Sequence, residues 1–268
     1  MSIEITREGQ ERLESIAEAA GREILRWYGA RDAEVSHKAD GTPLTSADRA
    51  ANDLILAALE AWDGSIPVVS EEGGSGAGEP ASMERFWLVD PLDGTKEFLT
   101  GNGEFTVNIA LIDRGDPVLG VVSAPAPGLI WSAGRGLGAW RRGPDGARER
   151  VYSAPPVPGR PLVVAESRSH PSPDLEGFLA ALPVSRRVRA GSSIKLCWVA
   201  DGTADIYPRL GPTMEWDVAA GDCVFRWSGR DAPRRSPLRY GKPGFRNGPF
   251  VLGLDPDDPI AMRTARVS

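Results

Sequence analysis

The sequence predicts an α/β fold layered as an α-β-α-β-α sandwich, on three observations. Helical periodicity opens the chain, a run of apolar strand-like pieces bordered by Gly and Pro follows, and strands then alternate with helices. At roughly 150 residues per domain, 268 residues make about two domains. A composition of 41% hydrophobic and 25% charged residues is that of an ordinary globular chain with a sizeable core.

Residues 10–28 place Leu13, Ile16, Ala17, Ala20, Ile24, Trp27 and Tyr28 at helical spacing, and Gly29 can cap the end. The polar segment 37–43 leads to a second helix, N-capped by Ser46, with Ala47, Ala50, Ala51, Leu54, Ile55, Ala58 and Leu59 on its apolar face. Segments 66–70, 86–90, 105–113, 118–123 and 129–132 are rich in β-branched and aromatic residues and read as a sheet of hairpins. Residues 141–160, dense in Arg, Gly and Pro, read as a connection between an N-terminal lobe (1–155) and a C-terminal lobe (156–268). In the second lobe, strands at 162–165, 184–190 and 204–208 alternate with helices at 175–182, 192–200 and 216–227.

Scarce residues narrow the chemistry. A zinc site needs three or four His, Cys or acidic ligands, usually clustered. His37, His170, Cys197 and Cys223 are scattered, which argues against such a site and excludes a disulfide framework. A Ser-His-Asp or Cys-His enzyme would rest on one of two histidines, neither in a recognisable motif. Both cysteines fall on predicted helices, where packing is the expected role. A net charge of −6 without a basic block argues against a nucleic-acid polymer as partner, but leaves room for a small phosphorylated ligand if bound metal reverses the local sign. The N-terminus has no apolar signal region, and no apolar run approaches the ~18–20 residues that span a bilayer. The expectation is a cytoplasmic protein, with peripheral association with the inner membrane left open.

Carboxylates remain, and they stand where local structure should change. Glu71 follows an apolar strand, Asp90 ends another, Asp93 follows within Asp90-Pro91-Leu92-Asp93-Gly94-Thr95, and Asp217 opens a helix. Pro91 pushes Asp90 towards an extended conformation, and Gly94 permits a tight turn. Residues 95–99 then form a short helix. One strand-turn-helix thus offers two carboxylates, the Leu92 carbonyl and backbone N–H groups. That oxygen-rich set suits Mg²⁺. Taken singly, Asp48 or Asp217 is more often a helix cap than a ligand, and DPLDG alone can be a simple turn. Their conjunction favours function.

Four blocks, with Asp48 in TPLTSADRAAND, SEEGG at 70–74, WLVDPLDGTKEF at 87–98 and EWDVAAG at 215–221, resemble the lithium-sensitive, Mg-dependent inositol monophosphatase superfamily, in its order and over about residues 10–255. The resemblance implies the layered fold shared with fructose-1,6-bisphosphatases. Residues 191–221 look most like the bacterial 3′(2′),5′-bisphosphate nucleotidase branch, as do SRSH at 167–170 and the tail 237–250.

By this resemblance Glu71, Asp90 and the Leu92 carbonyl hold one Mg²⁺, and Asp90, Asp93 and Asp217 hold a second; a weaker third ion sits near Glu71. Thr95, paired with Asp48, positions the attacking water, with Glu71 also in the catalytic set. Gly94 and Thr95 N–H groups cradle the 3′-phosphate, in a substrate site shared with Glu71, Leu92, Asp93, Ser192 and Asp217. Lys195 and Arg209 are the cations expected for a second phosphate, the alternative being a solvated surface pair. His170 either reaches the nucleotide or is a surface-loop histidine. The implied reaction is removal of the 3′-phosphate of adenosine 3′,5′-bisphosphate, the nucleotide of sulfate activation, to give AMP. Alternatives are an inositol-1-phosphate or fructose-1,6-bisphosphate phosphatase, or a catalytically silent phosphonucleotide-binding regulatory protein. A homodimer is the assembly common among relatives.

Overall fold

The computed structural model describes residues 3–29, 35–37, 43–74 and 83–262. Helix α1 (Arg7–Trp27) starts earlier than its apolar pattern, because Thr6 caps it by accepting from Gly9 N at 3.1 Å. A short hairpin, β1 (Val35–His37) with β2 (Pro43–Thr45), precedes α2 (Ser46–Asp63), in which Ser46 is already helical.

A seven-stranded sheet follows: β3 (Val68–Ser70), β4 (Arg85–Asp93), β5 (Thr106–Asp113), β6 (Asp116–Ala124), β7 (Leu129–Gly134), β8 (Gly138–Arg142) and β9 (Arg148–Val151), in that spatial order. The short α3 (Thr95–Thr100) lies between β4 and β5. From β4 onward the sheet is the expected antiparallel series of hairpins, but β3 runs parallel to β4. Its strands read as nearly unbroken apolar runs because both faces are covered. Trp87, Val89, Ile109 and Leu111 pack towards α1 and α2, whereas Phe86, Leu88, Ala110 and Ile112 pack with the helices of the opposite layer.

That opposite layer is α5 (Ile194–Ala200) and α6 (Glu215–Trp227). Beyond it lie the parallel pair β10 (Leu162–Ser167) and β11 (Val184–Ala190), joined through α4 (Leu175–Leu179). The antiparallel pair β12 (Tyr207–Arg209) and β15 (Phe250–Leu252) extends this second sheet through a bridge between Val164 and Ile206. β13 (Thr213–Met214) and β14 (Arg246–Asn247) pair beside the start of α6. The layers are therefore α-β-α-β-α.

The stretch 141–160 is not simply a connection. Its first half forms the last hairpin of the sheet, where Arg142 and Arg148 meet carboxylates at helical spacing on α1: Arg142–Glu18 at 2.8 Å, Arg148–Glu14 at 2.8 Å and Arg148–Glu11 at 3.3 Å. Arg7 and Arg148 also stack over Trp140, at 4.2 and 5.3 Å from the ring centre. Charge that looked like a linker is complementarity to a helix. Cys197 and Cys223 are free and buried. Among the described residues no helix is long and apolar enough to cross a membrane.

Helix α6 rests on β6 at Gly120, where an added Cβ would lie 2.7 Å from Cys223 Cβ and 3.2 Å from the Ala220 carbonyl oxygen. Close approach of helix to sheet requires glycine there. Gly120→Val is expected to destabilise the protein by about 1–3 kcal/mol through overpacking. Urea unfolding checks this, and an unchanged midpoint would contradict the contact.

Candidate active site

A one-residue irregularity in β4 builds the site. Asp90 pairs with Asn108, and Asp93 with Thr106, so three steps along β4 match two along β5. In a regular strand residues three apart point to opposite faces; the extra residue, a bulge at Pro91-Leu92, restores them to one side. Pro91 has no N–H to lose from the ladder, and Leu92 N donates to Asp90 Oδ1 at 3.1 Å. The turn then closes at Gly94 with φ +90°, where a side chain would press within 3.1 Å of the Glu104 carbonyl oxygen.

Other elements bring further acids to this turn. Glu71 follows β3, in a bend pinned by Asn52 of α2, which accepts from Ser70 Oγ at 2.7 Å and donates to the Gly73 carbonyl at 3.3 Å. Asp217 lies in the first turn of α6, and its Oδ2 accepts from Met214 N at 2.8 Å. It is a helix cap and a member of the cluster at once. Carboxylate oxygens of Glu71, Asp90 and Asp217 lie within 4.8 Å of one another. Asp93 is held by Asn108 Nδ2 at 3.3 Å and Ser193 Oγ at 3.0 Å. Asp48, in the first turn of α2, is buried; it is not in the pocket wall, but its charge reaches Asp90.

The electrostatics are unfavourable without a cation. Burial raises the Asp90 carboxyl well above the ordinary range, and Glu71, Asp93, Asp217 and Asp48 raise it further. Burial and then Asp93 push Asp217 up to about 8. Asp93 is also raised by burial, against the pull of Lys195. Oxygen donors alone, crowded and short of positive charge, fit a hard divalent cation.

The acids line an open pocket of about 420 Å³. Leu92, Gly94, Thr95, His170, Ser192, Lys195 and Arg209 also line it. Thr95 Oγ1 faces the Leu92 carbonyl oxygen at 3.4 Å. Lys195 is not part of a solvated surface pair: it is 4% exposed, and its Nζ donates to the carbonyls of Ala190, at 3.2 Å, and Ser192, with Tyr207 beneath it. Burial pushes its ammonium down to about 8, while Asp93 opposes this. Arg209 is part-exposed and donates to the Pro212 carbonyl at 3.1 Å. Ser192 has a left-handed backbone, φ +45°, and its buried hydroxyl finds no partner among the described residues. His170 sits at the rim, lowered by burial and by Arg209 and Lys96.

Lys96, Glu97, Trp216 and Arg246 also line the pocket but were not among the residues expected there. Lys96 and Glu97 stand inside the recognised TKEF block; Arg246 arrives only through the β13–β14 pairing. Asn108, which holds Asp93, had a visible signal as the one amide in the apolar run Val107–Leu111 of β5.

The model of the inositol monophosphatase family matches residues 7–230. The chain belongs to the inositol monophosphatase family. Within it, the chain is 43% identical over 243 residues to the 3′(2′),5′-bisphosphate nucleotidase CysQ of Escherichia coli K12, covering 86% of this chain and 96% of that one. It is 31% identical to CysQ of Haemophilus influenzae, covering 78% of each. The crystal structure of CysQ from Bacteroides thetaiotaomicron superposes with a TM-score of 0.75 at 36% identity, over 91% of this chain and 96% of that one. Inositol monophosphatase II of Staphylococcus aureus shares the fold, with a TM-score of 0.75 at 18% identity over 98% and 99% of the two chains. In this family of metal-dependent phosphatases, Glu71, Asp90 and Asp217 form the candidate acidic metal site.

A pH test follows. The Asp217 carboxyl is raised in the folded state, so the protonated form is favoured there; its contribution is complete below pH ~4 and is lost as pH rises towards about 8. In chelator, the melting temperature is expected to fall across that window more steeply than in Asp217→Asn, and a divalent cation should remove the difference. Parallel pH profiles for the two metal-free proteins would contradict the repulsion.

Proposed function

We propose that this chain is a Mg²⁺-dependent phosphoric monoester hydrolase that removes the 3′-phosphate of adenosine 3′,5′-bisphosphate. One observation carries this reading: a single pocket is lined both by the acids Glu71, Asp90, Asp93 and Asp217 and by the cations Lys195, Arg209 and Lys96, with His170 in its wall. A substrate with two phosphates needs both kinds of group, the acids through bound metal and the cations directly. The names of the relatives, 3′(2′),5′-bisphosphate nucleotidases of the CysQ type, agree with this reading.

Glu71, Asp90 and the Leu92 carbonyl would hold one Mg²⁺, Asp90, Asp93 and Asp217 a second, and a third would lie near Glu71. When bound, Mg²⁺ neutralises the carboxylates, acidifies water and stabilises charge on the transferring phosphate. The chain's own groups do the rest. The Gly94 and Thr95 N–H groups would cradle the phosphate, and Thr95 with Asp48 would orient the attacking water and take up its proton. Lys195 and Arg209 bind the second phosphate; burial pushes the Lys195 ammonium down to about 8, and a dianion beside it favours the charged form. The lobe 1–155 supplies the turn and three acids, and the lobe 156–268 adds Asp217 and the basic residues. On this reading the ligand is a small nucleotide, as the names of the relatives imply.

Asp90→Asn should lower phosphate release on the order of 10²–10³-fold while the circular dichroism spectrum stays native. Retained turnover with Mg²⁺ present would overturn the metal assignment. Lys195→Ala should weaken use of adenosine 3′,5′-bisphosphate about 10–100-fold while inositol 1-phosphate is little affected. Equal losses on both substrates would contradict the second-phosphate role.

A further inference from the structure

The loop before β5 and the loop after β10 are tied together beside the pocket. Arg168 donates from Nε and Nη2 to the two carboxylate oxygens of Glu104, at 2.6 and 2.7 Å, and from Nη2 to the Arg189 carbonyl at 2.9 Å. Glu104 Oε2 also accepts from Gly191 N at 2.8 Å. The Glu104 carbonyl oxygen sits between two glycines: an added Cβ would approach it to 3.1 Å at Gly94 and 2.7 Å at Gly191. Beside it, Glu97 accepts from Ser169 Oγ. Glu104 is thus a spacer with the phosphate turn on one side and the Gly191–Ser192 turn on the other.

That second turn is what holds Lys195. Its Nζ donates to the carbonyls of Ala190 and Ser192, and Arg168 N donates to the same Ala190 carbonyl at 3.0 Å. We propose that Glu104 and Arg168 are positioning residues for the reaction: their two-pronged pair sets the span between the phosphate turn at Gly94 and the wall carrying Ser192 and Lys195, and so the fit to a substrate with two phosphates. The inference rests on the substrate reading above. Global stability is a poor account of the pair, because Arg168 is 45% exposed and such pairs contribute little to it. Burial works against the Glu104 charge, yet Arg168 and the Gly191 N–H hold its carboxyl below the ordinary range, so the pair stays ionised at neutral pH.

The test compares Arg168→Ala and Glu104→Gln with the unaltered protein, in Mg²⁺. KM for adenosine 3′,5′-bisphosphate and the inhibition constant of AMP, which keeps the second phosphate, should both rise about tenfold. Turnover should stay within about threefold, and inhibition by inorganic phosphate, which needs only the metal held by the acids, should not change. Arg168→Lys, with charge but no fork, should fall between. Unchanged KM and AMP inhibition would overturn the proposal, as would a parallel loss of turnover and inorganic-phosphate inhibition, the mark of general damage. If the unaltered protein releases phosphate from inositol 1-phosphate but not from the bisphosphate, the substrate reading itself fails, and the pair's role with it.

Discussion

Repulsion among buried carboxylates is the constraint around which this molecule is arranged. Asp90 is 1% exposed, and Glu71, Asp93, Asp217 and Asp48 all raise its carboxyl beyond what burial alone does. Such a cluster is costly in a protein interior unless positive charge is supplied. The surroundings meet only part of that need: Asn108 and Ser193 hydrogen-bond Asp93, Met214 N donates to Asp217, and Lys195 draws Asp93 down. Oxygen donors of this kind call for a hard cation, which is why the proposed chemistry begins there.

The rest of the fold serves to bring these acids together. They come from β3, β4 and α6, elements that share no local sequence. The sheet is covered on both faces, so its strands cannot slip, and α6 is seated by a glycine contact at Gly120. Lys195 extends the same logic. It lies on α5, packed between α6 and the second sheet, and its buried Nζ donates to two backbone carbonyls while Asp93 favours its charge against burial.

Much of this was legible because it is local. Amphipathic spacing located α1 and α2, and strand composition located most of the central sheet. The DPLDGT turn announced itself through residues whose backbone chemistry is restrictive. The misreadings have a common cause. Arg-rich 141–160 resembled a linker until Glu11, Glu14 and Glu18 of α1 were seen to face it, and the three-residue β15 is too short to show a period.

Taken alone, the amino-acid sequence determined the layered fold class and the carboxylate inventory, since these follow from composition and short-range pattern. Only the tertiary structure decided that Asp90 and Asp93 face the same way, because that depends on which residues of β5 stand opposite and on one extra residue in the ladder. It alone decided that Lys195 is buried and that Glu104 reaches Arg168 and Gly191, contacts that span 64 and 87 positions of chain. Residue type is local; direction and distance between remote side chains are properties of the packed whole.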